Sequence, residues 1–357
     1  MPQKNMGKSK KTQQQKQQSE GMNHPFKEKC MLKKLVVLCS TFMAATPLFA
    51  NQAHLTHTEE AQTSPVSVIK EVDLMLDWVL NPNHAAIVVA HQKGYFLEQN
   101  LKINLHEPSD PSMPAKLVAA GRYDLAVTYG LSFLIDLAES LPIQKVSTLV
   151  STPMGCLMTL KSSGITELSQ LDGKRVGYSI PHEVEKLEAV LQYQQPKPIH
   201  TDKVQVGWQV SQSLLAKQVD AVTGGYRTFE KHQVRLHGED VNLFYPEEYG
   251  VPTHDSLVIV ANQKHTDSAT FHRFNRALEK AVVYITNHPK QAWEDFKAYN
   301  PGKLDNLLYQ QAWFDVIRYI DHRPGAFDKQ RQINYSKYLK SKHAMDRIPD
   351  FSNAFLD

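Results

Sequence analysis

Residues 76–96 read "LDWVLNPNHAAIVVAHQKGYF". The residues leading into them, "SVIKEVDLMLDW", have the short apolar run of a strand, and "HAAIVVAHQKGYFLEQN" reads as a helix ending near Gly94. Between the two stand Trp78, Asn81, Pro82, Asn83 and His84. Polar and aromatic groups thus crowd the carboxyl end of a buried strand. In open α/β sheets that is the end where ligands are held, so this turn decides both the fold class and where to look for a site.

Working outward, "LKINLHE" reads as a strand, "PSMPAKLVAAG" as a helix stopped by Gly121, and "YDLAVTY" as a strand. "LSFLIDLAES" is a helix and "IQKVSTLVSTPMGCLMTLK" supplies further strand. Strand–helix alternation of this kind implies βαβ units and a mainly parallel sheet. A second module opens at "SSGITELSQLDGKRVGYSI", a short helix, an Asp172–Gly173 turn and a strand ending in Tyr178 and Ser179. It continues through the helix "EVEKLEAVLQYQQ", the strand "KVQVGWQV", the helix "SQSLLAKQ" and the strand "VDAVTGGY". "DSLVIVAN" then returns to a strand, and from there to the end the pattern is helical. The reading is therefore α/β with two lobes: residues 67–157 with 256–357 as lobe one, and 158–255 as lobe two. Two crossing segments make a hinge, and a hinge between lobes makes a cleft.

The first fifty residues differ in kind. Residues 1–30 are Gln- and Lys-rich with little apolar content, an expected disordered extension, while "MLKKLVVLCSTFMAATPLFANQ" has the layout of a signal peptide cleaved near Ala50. The apolar run is too short for a membrane span and is broken by Pro47. Residues 51–66 read as a flexible linker. Nine of the 40 Lys+Arg and two of the 37 Asp+Glu lie in residues 1–50, which leaves 31 basic against 35 acidic groups. The formal +3 thus belongs to the leader, and there is no case for nucleic acid. Only Cys156 of the three cysteines follows the leader, so no internal disulfide is expected. The 16 histidines are scattered without metal-ligand spacing, and no Gly-rich phosphate loop follows a strand. The expectation is a periplasmic, monomeric protein without metal or cofactor.

Five segments in order carry a resemblance: "LDWVLNPNHAAIVVAHQKGYF", "EPSDPSMPAKLVAAGRYDLAVTY", "LDGKRVGYSI", "VDAVTGGYRTFE" and "FYPEEYGVP". Together they resemble the thiamin-pyrimidine family of bilobed binding proteins, over nearly all of the chain after Ser67. The resemblance implies a periplasmic-binding-protein fold of type II. That family holds both a receptor that captures formylated aminomethylpyrimidine and the fungal-type pyrimidine synthases. The synthases resemble suicide enzymes that consume their own histidine and a pyridoxal phosphate held by a lysine. At the corresponding stretch, "AVTYGLSF", this chain has Thr128 for the lysine and Ser132 for the histidine. Without an amine no Schiff base forms. Nor does "EYGVPTHDSLVIV" contain the cysteines of the synthases' iron-binding stretch. The resemblance therefore implies a binder, not an enzyme.

A flat aminopyrimidine calls for aromatic faces and a carboxylate or amide along its rim. The candidates are Trp78, Asn81 and His84 from lobe one and Tyr178, Ser179, Tyr226 and Glu230 from lobe two. Each has a plainer alternative: core packing for Trp78, turn formation for Asn81, helix capping for His84, a solvated helix-start acid for Glu230. The partners implied are an aminopyrimidine and an inner-membrane ABC permease. A sulfonate, taurine or nitrate receptor is the alternative, with Arg227 as its candidate cation, and a pyridoxal-phosphate-consuming synthase is a third.

Overall fold

The computed structural model describes residues 68–265 and 267–356. The expected extension, signal peptide and linker lie outside the described residues. Ten strands form two sheets. β1 (Lys70–Met75), β2 (Leu101–His106), β3 (Leu125–Tyr129), β4 (Ile143–Val150) and β10 (Leu257–Asn262) make the first, in the order β2-β1-β3-β10-β4. β5 (Gly155–Leu160), β6 (Arg175–Tyr178), β7 (Asp202–Gln205), β8 (Ala221–Tyr226) and β9 (Val241–Phe244) make the second, in the order β7-β6-β8-β5-β9. The two lobes have the type II periplasmic-binding-protein fold.

The sheets are mixed, not mainly parallel as the alternation implies. β1 pairs in parallel with β2 and β3, and β6 with β7 and β8. β10, however, runs antiparallel to both β3 and β4, and β5 antiparallel to both β8 and β9. The cause is the hinge. β5 and β10 are the first strands after each crossing, so they enter a sheet directly from the other lobe, without the crossover helix that parallel pairing requires. β5 starts at Gly155, so the boundary expected after residue 157 falls inside a strand; pairing begins as soon as the chain clears Pro153 and Met154.

Burial follows the sequence pattern. Every residue of β4 and β10 is buried, as expected for strands covered on both faces. The helix Ser268–Asn287 buries Phe271, Phe274, Leu278, Ala281, Val282 and Ile285 against lobe one, and Asp267 caps it by accepting from the Thr270 N–H at 3.0 Å. The expected helix "SGITELSQL" is only a 3-10 turn, Leu168–Leu171.

The two crossings are tied together. The Ser256 N–H donates to the Val150 carbonyl at 2.8 Å, and Asp255 is held by Lys145, by Gln332 (2.7 Å) and by Arg331 (3.2 Å). Gly130 opens the helix Gly130–Ala138 beside the same crossing. A Cβ there would sit 2.0 Å from the Asp255 carbonyl oxygen, so only glycine lets helix and crossing meet. Contacts between the lobes lie around the cleft. His232 and Lys231 reach Asp315 at 2.7 and 2.6 Å, and His182 Nδ1 lies 3.0 Å from Ser132 Oγ. The Trp78 and Trp208 rings meet with centroids 4.1 Å apart.

Candidate functional site

The opening turn delivers its residues to a cleft between the lobes. After β1 the chain enters the 3-10 turn Pro82–His84, which Asn81 caps: its side-chain oxygen accepts from the Asn83 N–H at 2.9 Å, and its amide nitrogen donates to the Val79 carbonyl at 2.9 Å. Asp77, Trp78, Asn81 and Asn83, with Tyr129 from the end of β3, line the cleft from lobe one. From lobe two come Ser179, Ile180 and Glu183 after β6, Gly224 and Tyr226 of β8, Phe229 and Glu230 beyond it, and Val210. The space between them is about 510 Å³, counted out to the open mouth.

Of the seven expected residues, Trp78, Asn81, Ser179, Tyr226 and Glu230 line this space together. His84 does not. It is wholly buried behind Asp77, its Nδ1 accepting from the Asn81 N–H at 3.2 Å and its Nε2 bonded to Asp77 Oδ1 at 2.8 Å. With both ring nitrogens engaged, His84 orients Asp77, and this is closer to the capping alternative than to ligand contact. Tyr178 also lies outside the lining, its backbone carbonyl accepting from Val206 N–H at the sheet edge. Asn81 reaches the cleft wall, but its amide is committed to its own turn.

Glu230 combines the two roles weighed for it. One carboxylate oxygen accepts the Tyr226 N–H at 2.6 Å at the start of the helix Glu230–Leu236. The residue is part-buried in the cleft wall, and burial pushes its carboxyl up to about 7 against the pull of the Tyr226 N–H. Burial likewise drives the Tyr129 and Tyr226 hydroxyls well above their ordinary range, so both stay neutral donors and acceptors. Ser179 Oγ and Asn83 Oδ1 are buried in opposite walls of the cleft with no hydrogen-bond partner among the described residues. Such orphaned groups are the usual mark of a surface shaped for something polar.

Several lining groups had escaped the sequence reading, Asp77, Tyr129 and Glu183 among them. Asp77 precedes Trp78 and Tyr129 ends β3, positions that a strand-end argument could have included. Glu183 forms a buried pair with Lys186 at 2.5 Å and packs on Gly224, where φ is +80° and a Cβ would meet Glu183 Cγ at 2.8 Å. Here the glycine of "TGGY" is required by close approach as well as by backbone angle. Trp208, which meets the lining residue Trp78 without itself lining the space, sits in a loop that local patterning read as strand.

Chemically, the cleft offers aromatic faces (Trp78, Tyr129, Tyr226, Phe229) and carboxyl groups (Asp77, Glu183, Glu230), with no Lys, Arg or His among its lining residues. Arg227, the candidate for holding an anion, points elsewhere: it grips Glu247 at 2.6 and 2.9 Å and stacks 4.1 Å over Tyr245. Thr128 and Ser132 are buried beside the cleft, and the described Cys156 is a buried thiol pushed up to about 12 by its surroundings. Among the described residues no group of three or more His, Cys, Asp or Glu is arranged to hold a metal ion.

Comparison with known proteins agrees with this architecture. The chain is 39% identical over 281 residues to a Haemophilus influenzae protein provisionally assigned to thiamine biosynthesis, covering 78% of this chain and 90% of that one. It is 29% identical to the formylaminopyrimidine-binding protein of Halalkalibacterium halodurans, covering 63% and 69%. Similarity extends to a Legionella pneumophila 4-amino-5-hydroxymethyl-2-methylpyrimidine phosphate synthase, 28% identical over 81% and 93% of the two chains. In fold it is similar to the alkanesulfonate-binding protein of Xanthomonas axonopodis bound to MOPS, with a TM-score of 0.63 at 14% identity, covering 80% and 97%. The NMT1/THI5-like family model matches residues 81–292, from the capping asparagine of the opening turn to well past the second crossing, and the chain belongs to that family.

Proposed function

We propose that the protein is the extracytoplasmic solute-binding component of an ABC importer, and that its cleft captures an aminopyrimidine precursor of thiamin and releases it unaltered. The observation that carries this reading is the lining: aromatic faces and carboxyl groups with no cationic side chain. A sulfonate or nitrate would demand the reverse, cations or free backbone amides. An aminopyrimidine places a ring nitrogen beside an amino group, an acceptor next to a donor. A carboxyl group poised near 7, as Glu230 is, shares one proton with that nitrogen and accepts from the amine, a two-point grip in either protonation state. Ser179 Oγ and Asn83 Oδ1 supply further unmet polar groups. The formylaminopyrimidine-binding relative supports the ligand class.

Closure is a shift of population. A ligand touching Asp77 and Trp78 on one lobe and Tyr226 and Glu230 on the other favours the closed form, which an inner-membrane permease would engage. The leader-like residues 31–50 and the monomeric state belong to the same proposal. Synthase chemistry is disfavoured because Thr128 and Ser132 stand where the resemblance calls for lysine and histidine.

Calorimetry on the chain from Asn51 onward, with aminopyrimidines and alkanesulfonates as titrants, tests the reading. Tight binding of a pyrimidine alone is expected. A preference for sulfonates would overturn the ligand class, and pyrimidine product on incubation with pyridoxal phosphate and iron would overturn the receptor role.

A further inference from the structure

Beside the main cleft lies a second chamber of about 640 Å³, and Tyr129 and Ile180 line both spaces. Its walls also come from the two lobes: Thr128, Ser132 and Asp136 from lobe one, His182 from lobe two. Asp136 is the unusual member. It is 5% exposed, and among the described residues no hydrogen bond or ion pair reaches its carboxyl group. Lys116 and Glu139 line the same chamber and act on this carboxyl through their charges alone, with opposite sign. Burial raises the Asp136 carboxyl to about 6 and lowers His182, leaving the histidine neutral near pH 7, with Nδ1 occupied by Ser132.

A carboxyl set this deep, with no hydrogen-bond donor from the described residues, keeps its acceptor capacity for whatever enters the chamber it faces. Nothing in the fold of lobe one requires an acid here: the Asp136 backbone serves the helix Gly130–Ala138, and its side chain opens on the chamber. We propose that this chamber is a subsite for an N–H-bearing side arm, amine or amide, carried by the ring ligand of the main cleft, with Asp136 accepting its hydrogen bond. The inference rests on the reading of the main cleft as a pyrimidine site. The partition formed by Tyr129 and Ile180 sets the geometry: a ring against Tyr129 directs a substituent past it toward Asp136, Thr128 and Ser132. The Ser132–His182 bond at 3.0 Å closes the chamber from the far lobe, so the arm is enclosed only when the lobes are together.

The test uses two probes, an aminopyrimidine bearing an aminomethyl arm and its counterpart with methyl in that place, titrated into the wild-type chain and into Asp136→Ala and Asp136→Asn. The wild type should bind the aminomethyl compound at least about 10-fold more tightly, as expected for a hydrogen bond to a charged group. Asp136→Ala should shrink that ratio to within about twofold, and Asp136→Asn, which keeps an acceptor without the charge, should leave it in between. The thermal midpoint of the free variants should not fall, since the side chain holds no partner in the fold. Equal wild-type affinities for the two probes would remove the subsite while leaving the cleft reading in place, and so would a ratio that survives Asp136→Ala. Failure of both probes, with an alkanesulfonate bound instead, would overturn the cleft reading and the subsite with it.

Discussion

Asp255 at the hinge and Glu230 in the cleft are both carboxyl groups deep in the protein, and the fold treats them in opposite ways. Asp255 is met by a fully buried lysine, an arginine and a glutamine, so every charge at the crossing has a partner within the chain. Glu230 receives only backbone N–H groups, and burial raises its carboxyl to about 7 against their pull. The hinge is therefore complete by itself. The cleft is left wanting a donor, and that asymmetry separates a structural acid from one kept for a ligand.

The largest expected effect comes from breaking the hinge. Asp255→Asn leaves Lys145, 1% exposed, without its anion, and should cost about 3–5 kcal/mol in urea unfolding. A loss under about 1 kcal/mol would mean that Arg331 and Gln332 do not depend on the charge and that the contrast is overstated.

Glu230 should behave the other way. Its carboxyl is raised from 4.5 to about 7 on folding, so the folded chain holds this proton more tightly than the unfolded chain does. Its contribution to stability is therefore present in full below about 4.5 and lost as pH rises through about 7. Glu230→Gln should stabilise the ligand-free protein by an amount that grows across that window to on the order of 1–3 kcal/mol at pH 8, while pyrimidine affinity falls by about 1.5–3 kcal/mol. Equal pH profiles for variant and wild type would return Glu230 to the class of ordinary helix-start acids.

The smallest effect on stability should come from the Trp78–Trp208 contact. Trp208 is 37% exposed and touches Trp78 across the lobes, so Trp208→Ala should change unfolding free energy by no more than about 0.5 kcal/mol. It should instead speed release of bound pyrimidine several-fold, read by stopped-flow fluorescence. An unchanged release rate would make the Trp78–Trp208 contact incidental to closure.

Much of this was legible in the chain. Alternating apolar runs marked the strands, and the crossing near residue 256 follows from "DSLVIVAN" resuming a buried strand after the second module. Trp78, Ser179, Tyr226 and Glu230 were chosen as candidates because ligands gather at strand ends, and all four line the cleft. His84 was misplaced for a definite reason. It is seven residues from Asp77, and only the folding back of the Asn81–His84 turn brings its Nε2 to that carboxylate and turns the ring inward. Glu183 was passed over because an acid in a helix's first turn is common, and its tight approach to Gly224 joins residues 41 positions apart.

Local order along this chain is set by patterns of period two and 3.6, and those are written in consecutive residues: the strands, the helices, the two modules and the stock of aromatic and acidic side chains. Strand direction beside each crossing, the paired state of Asp255 and the solitary state of Asp136 are of another kind. They depend on which distant segments become neighbours, and dielectric surroundings and partners exist only once the lobes have packed.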